Sequence, residues 1–372
     1  MNIPFLDLAT EFKSIESEWF DAVRHIASNG HFILGQNVHA FEDEFAGYIG
    51  TEHAVSVANG TDAINLSLRA LDIGPGDEVI TSPFSFISPA ECICQVGATP
   101  VFADIDEKSF NLYAGSIEKV ISEKTRAIII VHLFGQAADM QPIKQLADKH
   151  GIKIIEDAAQ SFGAIDHEQR TGSIGDTGCF SFYPTKILGC YGDGGMITTH
   201  SDEVLDKLHR LRNHGAIKPF VHAEIGYNSR LDEIQAALLR IKLKQIDEAI
   251  NKRKQVAANY HKLLKDSGLS LPTQHATHAN AHVYNLYTIK IENNRDEVRQ
   301  FLSDHDIPTS QCYPQILSTQ PVFDHLGYKK EQVPVAEKMT HQTLSLPVYP
   351  GMTEDMIEAI GSTLLKAVES VC

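Results

Sequence analysis

Cysteine is sparse and scattered in this chain of 372 residues, with six copies at positions 92, 94, 179, 190, 312 and 372. Cys92 and Cys94 stand one residue apart, which is strained for a disulfide and poorly spaced for a metal knuckle. Reduced thiols in a cytoplasmic protein are therefore expected. Basic residues are outnumbered, 32 Lys and Arg against 48 Asp and Glu, for a net charge of −16 with no basic block. That balance argues against a nucleic-acid footprint. Long apolar runs are missing too. Stretches such as 127–131 are strand-length, so no membrane span is expected. The opening MNIPFLDLATEFKSIESEWF has no basic segment leading into an apolar run and does not read as a signal peptide. The 18 histidines form no HExxH or comparable cluster, so no metal site is expected. Neither GxGxxG after a strand nor GxxxxGK[ST] occurs, which weakens any nicotinamide or P-loop reading.

What the sequence does contain is alternation. Two amphipathic helices are expected over 10–28 and 37–49, separated by the loop Asn29-Gly30-His31-Phe32-Ile33-Leu34-Gly35. Strands follow at 53–58, 78–82, 100–102, 127–132, 153–156, 178–182 and 196–199. Helices are expected after Asn59, from Ser88, over 140–150 and from Asp202. Such βα alternation argues an α/β fold with a mostly parallel central sheet flanked by helices. Sites in such sheets lie at the carboxyl ends of strands. One long helix is expected over 231–264, then a strand over 283–291 and helices at 295–304 and 353–371. We expect a large domain over 1–250 and a smaller C-terminal α+β domain over 251–372.

Three segments point to chemistry. Asp157 ends the strand 153–156, in Glu156-Asp157-Ala158-Ala159-Gln160. A buried carboxylate is costly unless a cation or strong donor meets it, and a protonated pyridine nitrogen is such a partner. Read alone, Asp157 could equally cap the next helix. Lys186 follows a strand and a Pro turn in Ser181-Phe182-Tyr183-Pro184-Thr185-Lys186, a setting that can hold an amine against a carbonyl cofactor. A lone lysine there is also an ordinary surface residue. The glycines of Gly189-Cys190-Tyr191-Gly192-Asp193-Gly194-Gly195 tip the balance, because they let the backbone approach a ligand. Asn59-Gly60-Thr61-Asp62 opens a helix, where backbone N–H groups can cradle a phosphate or simply make an N-cap. Phe84 and Phe86 could stack on a cofactor or fill the core.

In order, PFLDL, FILG, ANGTDA, GPGDEVI, GATPVFADID, VHLFGQAADM, IEDAAQSFGA, GDTGCFSFYPTK, GCYGDGG and GYNSRLDEIQAALLRIKL resemble the DegT/DnrJ/EryC1/StrS family of sugar aminotransferases. The likeness runs nearly end to end and implies a fold-type I enzyme using pyridoxal 5′-phosphate (PLP). It implies that Lys186 bonds the cofactor and shuttles the proton, and that Asp157 partners the pyridine nitrogen. Gln160 would lie on the phenolic-oxygen side and Phe86 would stack on the ring. Gly60, Thr61 and Ser181 would hold the phosphate, with Asn228 reaching it from a neighbouring subunit of a homodimer with shared active sites. For the substrate, the resemblance places Tyr313 near the sugar. A substrate carboxylate and diphosphate need cationic or N–H donors, for which Arg230, in the neighbour's loop, and His31 are the candidates. His200 and the segment Asp166-His167-Glu168-Gln169 depart from the family pattern, away from the cofactor. The N-terminal motifs look like the branch that aminates C3 of a nucleotide-linked keto-sugar, with glutamate as donor. TKILGCYGDGG favours a UDP-2-acetamido-2-deoxy-3-oxo-glucuronate-type substrate and a 3-amino sugar for surface polysaccharide. The alternatives are a dTDP-3-oxo-6-deoxyhexose 3-aminotransferase, a PLP lyase or dehydratase, and a non-catalytic binding or regulatory protein on the same fold.

Overall fold

A computed structural model describes residues 3–273 and 280–371. Helix α1 (Leu8–Asn29) begins where Asp7 accepts a hydrogen bond from the Thr10 N–H at 2.9 Å, and ends at Gly30 in the left-handed region (φ 69°). In α2 (Gln36–Ile49), Phe41 and Phe45 are fully buried. The alternating region then gives β1 (His53–Val57), α3 (Gly60–Ala70), β2 (Glu78–Thr81), α4 (Ser88–Gln95), β3 (Thr99–Phe102), α5 (Ala114–Glu118), β4 (Thr125–Val131), α6 (Met140–His150) and β5 (Lys153–Asp157). A hairpin, β6 (Ile165–Asp166) and β7 (Gln169–Arg170), precedes β8 (Thr177–Ser181), β9 (Gly195–Thr199) and α7 (Asp202–Leu211).

Seven of these strands form one sheet in the order β1-β9-β8-β5-β4-β2-β3. β9 runs antiparallel to both neighbours and the other pairings are parallel. The β-branched run of β4 is buried on both faces, as a central parallel strand requires. One face carries α3 and α7, whose Ile64, Leu68, Leu208 and Leu211 pack with Val55, Ile129 and Ile155. The other carries α2, with Phe41 and Phe45 against Phe180 and Phe182. This is the expected fold class.

A second hairpin, β10 (Ala216–Lys218) and β11 (Val221–His222), leads to α8 (Glu233–Leu243) and α9 (Ile246–Leu264). The expected single helix over 231–264 is therefore two. The chain turns at Lys244 and Gln245, where Gln245 has φ −112° and ψ 6°. Leu231 precedes α8 and is buried on its own account. α9 joins two cores: Ile246 and Ile250 pack with the large sheet, whereas Val256, Tyr260 and Leu264 pack with the C-terminal elements. Those elements are β12 (Tyr287–Lys290), α10 (Arg295–Asp304), α11 (Pro334–Gln342), β13 (Thr343–Leu346) and α12 (Glu354–Val371), with β12 and β13 paired antiparallel. Ile3 joins this second core, while Val333, Ala336 and Met339 pack back onto the first. Among the described residues no helix is long and apolar enough to cross a membrane.

Candidate active site

The sheet itself brings the sequence-selected residues together. Asp157 ends β5, and its register partner in the adjacent parallel strand β8 is Cys179. Lys186 therefore follows only one tight turn beyond the neighbouring strand end, with its N–H bonded to the Tyr183 carbonyl at 2.8 Å. Gly195 of β9 stands opposite both Val57 of β1 and Ser181 of β8. This aligns the start of α3 with the end of β8. The approach is close: a Cβ on Gly60 would sit 2.7 Å from the Ser181 Cβ, and one on Gly195 would sit 2.4 Å from the Asn59 carbonyl oxygen. Only glycine allows this packing. Asn59 caps α3, accepting from the Asp62 N–H at 2.8 Å. The first-turn N–H groups of the helix thus open beside the Ser181 hydroxyl, an anion cradle without a basic residue. The Thr61 hydroxyl is 2.7 Å from that of Ser88.

Asp157 is buried, and burial raises its carboxyl pKa. Its only side-chain hydrogen bond among the described residues is from the Ala159 N–H to Oδ1, at 3.1 Å. That bond and the nearby Lys186 and His132 act against the rise. Burial likewise lowers the pKa of Lys186, with Asp157 opposing, and the Lys186 amine has no hydrogen-bond partner among the described residues. Behind Asp157, Glu156 is fully buried. It accepts from His132 Nε2 (2.9 Å) and from the N–H groups of Gly172 (2.8 Å), Ile174 (2.7 Å) and Gly175 (2.7 Å). His132 Nδ1 accepts the Ala138 N–H at 3.0 Å, so the ring proton lies on Nε2 and points at Glu156. The His132 N–H in turn holds the Asp157 carbonyl at 3.1 Å.

A cavity of 220 Å³ opens at Lys186, lined also by Gln160, Tyr313, Asn285 and Arg253. Gln160 is locked in one orientation, with its Oε1 accepting the Phe134 N–H (2.9 Å) and its Nε2 donating to the Tyr313 hydroxyl (3.1 Å). Burial pushes the Tyr313 phenol pKa up, so the hydroxyl is a neutral donor toward the cavity. The two candidate rings separate cleanly: Phe84 is core, whereas Phe86 is 58% exposed. Asn228 and His31 are exposed, Arg230 is half-buried with Nη1 bonded to Asn213 Oδ1 (3.1 Å), and none of the three lines this cavity. Their loops do meet each other, through the Ile33–Asp232 bridge and the Glu233 N–H on the Phe32 carbonyl. A larger cavity of 480 Å³ lies at the amino end of β5, and its Lys153 and Lys207 are already paired with Asp176 and Asp72.

Residues 13–365 match the model of the DegT/DnrJ/EryC1/StrS aminotransferase family. The chain belongs to that family. Three relatives are similar over nearly their whole lengths. A pleiotropic regulatory protein of Geobacillus stearothermophilus is 43% identical over 95% of each chain. The UDP-N-acetyl-3-dehydro-alpha-D-glucosamine 3-aminotransferase of Acidithiobacillus ferrooxidans is 42% identical over 98% of each. The UDP-2-acetamido-2-deoxy-3-oxo-D-glucuronate aminotransferase of Pseudomonas aeruginosa is 39% identical over 97% of this chain and 99% of that one. Among solved structures, S. venezuelae DesV in complex with a ketimine intermediate superposes with a TM-score of 0.95, at 38% identity and 99% coverage of both chains.

This DegT/DnrJ/EryC1/StrS protein is thus a PLP-dependent aminotransferase. Its site fits the cofactor on three physical grounds. The Asp157 carboxylate oxygen left without a hydrogen bond among the described residues suits a ring N–H, the glycine-lined cradle suits a phosphate, and the unpaired Lys186 amine suits the aldehyde. When bound, PLP supplies the electron-poor ring that stabilises negative charge next to the amino-bearing carbon. Sequence reasoning missed Arg253, Asn285, Ser310 and Cys312, which line the same cavity from the C-terminal elements and from α9.

Proposed function

We propose that the chain transfers an amino group from glutamate to C3 of a UDP-linked 2-acetamido-2-deoxy-3-oxo sugar, the glucuronate type first. The product would be a 3-amino sugar for surface polysaccharide. The observation that carries the chemistry is the juxtaposition of Lys186 and Asp157 at and beyond the ends of adjacent strands, Asp157 buried and Lys186 half-buried, both without a committed charged partner among the described residues. A non-catalytic sensor has no use for such a pair. Lys186 would take and return the proton as the amine moves, and burial lowers its pKa in the direction that favours the neutral amine. Asp157 would hold the ring-nitrogen proton, Gln160 the phenolic-oxygen side, and Phe86 the ring face. Gly60, Thr61 and Ser181 would hold the phosphate, and Tyr313 would donate to the sugar.

Asn228, Arg230 and His31 would act from a second copy of the chain. In support of a homodimer, the stretch that leads to Asn228 exposes Ile217 (59%), Phe220 (97%) and Ile225 (83%), apolar surface that a partner would cover. Action in the cytoplasm is supported by Cys92, Cys94, Cys179, Cys190 and Cys312, all free thiols. UDP-3-keto-N-acetylglucosamine, whose sugar ring carries no carboxylate, is the second reading, favoured by the Acidithiobacillus relative.

The test is a panel of UDP- and dTDP-linked 3-keto sugars incubated with the PLP-loaded protein and glutamate. Amino sugar and 2-oxoglutarate are then quantified by mass spectrometry. Equal amounts of both products are expected with a UDP-2-acetamido sugar. Sugar consumption without 2-oxoglutarate would indicate a lyase or dehydratase, and preference for a dTDP-6-deoxyhexose would overturn the substrate assignment.

A further inference from the structure

Four basic side chains of the Arg and Lys type are buried among the described residues: Arg212, Lys242, Arg253 and Arg295. Three meet a carboxylate, in the pairs Arg212–Glu42, Lys242–Glu11 and Arg295–Asp296. Arg253 does not. It is 5% exposed, and its Nη1 donates to two neutral acceptors, the carbonyls of Val348 (2.7 Å) and Tyr284 (3.4 Å). Nε and Nη2 have no hydrogen-bond partner among the described residues. The carboxylate that acts on it most, Glu11, is already paired with Lys242. A buried guanidinium left this way is costly unless an anion completes it. Burial accordingly pulls its pKa down, to about 10.

Arg253 stands in the wall between two cavities. The one lined by Asp7, Glu11 and Glu248 already holds acidic groups. The other is the 220 Å³ cavity at Lys186, which has no acidic lining residue. It places Asn285, Ser310 and Tyr313 beside the two cations. Asn285 adds a buried Oδ1 with no partner among the described residues, a further polar group awaiting a ligand. This space is smaller than the roughly 300–1,000 Å³ of drug-sized ligand sites. It suits an amino acid and is too small to enclose a nucleotide sugar.

We propose that Arg253 is the carboxylate anchor of the amino donor, binding the donor in the Lys186 cavity while its amine faces the reacting centre. The inference rests on the transamination reading and adds the residue that selects an amino acid. A planar fork tethered at Nη1 still presents two N–H directions, the geometry for bidentate capture of a carboxylate.

The experiment uses the PLP-loaded wild type, Arg253→Gln and Arg253→Lys, with near-UV circular dichroism to confirm folding. Glutarate, a dicarboxylate without an amine, is titrated calorimetrically, and KM is measured separately for glutamate and for the keto-sugar. Arg253→Gln should weaken glutarate binding and raise the glutamate KM about 10- to 100-fold, as expected for the loss of charge-assisted hydrogen bonds. Arg253→Lys should do so by less, and the sugar KM should hold. Unchanged glutarate affinity in a folded Arg253→Gln would overturn the inference, and so would an effect confined to the sugar. If Arg253→Gln fails to fold, Arg253→Lys decides alone: wild-type glutarate affinity there refutes the anchor. Loss of glutarate binding in the variants, together with a wild type that makes no 2-oxoglutarate from glutamate, would leave the carboxylate site standing and remove the proposed donor.

Discussion

Replacing Glu156 with Gln changes one atom behind the candidate site and should destabilise the fold by an amount the structure allows to be worked out. Oε2 receives His132 Nε2 and the Gly172 N–H, and Oε1 receives the N–H groups of Ile174 and Gly175. Whichever way the new amide turns, its NH₂ faces two donors. His132 cannot relieve the conflict by changing tautomer, because the Ala138 N–H already occupies Nδ1. Two buried donors without an acceptor cost roughly 1–3 kcal/mol each, so about 4 kcal/mol in total. Unfolding entropy of about 2.1 cal/mol/K per residue over 372 residues is about 0.8 kcal/mol/K, which converts the loss to a fall in Tm of about 5 °C.

The effect carries a pH signature. Burial alone would raise the Glu156 pKa, but the bond to His132 and the backbone donors outweigh it and hold the value below 4.5. A carboxyl with a depressed folded pKa contributes its stability above the unfolded value and loses it as pH falls through the folded one. The gap between wild type and Glu156→Gln should therefore be full near pH 7 and close progressively below pH 4.5. Differential scanning calorimetry of the cofactor-free proteins across that range is the assay. A Tm difference under about 1 °C at pH 7, or a gap that stays constant on acidification, would refute the account of Glu156 as the ionised acceptor that fixes the end of β5.

Lys186→Ala should keep the Tm of the cofactor-free protein and lose turnover. Borohydride treatment of the PLP-loaded wild type followed by peptide mapping should find the reduced adduct on Lys186 and nowhere else. Asp157→Asn should fold normally and lower kcat about 10²–10³-fold, because a neutral amide cannot stabilise a ring-nitrogen proton. Rates near wild type would remove that pairing. In Gly60→Ala the new Cβ would lie 2.7 Å from the Ser181 Cβ, so the cradle must spread. Cofactor Kd, measured by fluorescence titration, should rise at least about tenfold, with overpacking costing about 1–3 kcal/mol of stability.

The parts of this enzyme that were readable in advance are those governed by local chemistry. β4 announces itself as Ala-Ile-Ile-Ile-Val, α3 by its Asn59 cap, and α6 by the Gly151 that ends it in a left-handed turn (φ 66°). Asp157 and Lys186 were legible because each follows a buried strand, and their convergence follows from β5 and β8 being neighbours. The roles of Phe84 and Phe86 could not be divided, since strand alternation would put residues two apart on one face; they separate because β2 ends at Thr81 and the chain bends through both positions. The turn between α8 and α9 left no mark either. No Gly or Pro interrupts Leu243-Lys244-Gln245-Ile246, and apolar spacing continues across it.

Arg253 is the instructive miss. Between Lys252 and Lys254 it reads as one more solvated cation of a basic helix, and Lys252 is indeed exposed and paired with Glu248. Yet the buried positions of α9 run Ile246, Ile250, Arg253, Val256, Ala257, Tyr260 and Leu264, so Arg253 occupies the inward stripe at helical spacing. The same signal marks Glu42 in α2, which sits beside Phe41 and Phe45 and answers Arg212 and the Ser56 N–H across the fold. It marks Glu233 in α8, whose carboxylate accepts the N–H groups of Gly35, Asn37 and Val38 at the start of α2. A charge on an apolar stripe must be answered by something, because desolvation costs more than packing returns. For the two glutamates the answer lies within the chain. Among the described residues Arg253 is bonded only to neutral carbonyls, which leaves the balance to the anion proposed for the cavity beside Lys186.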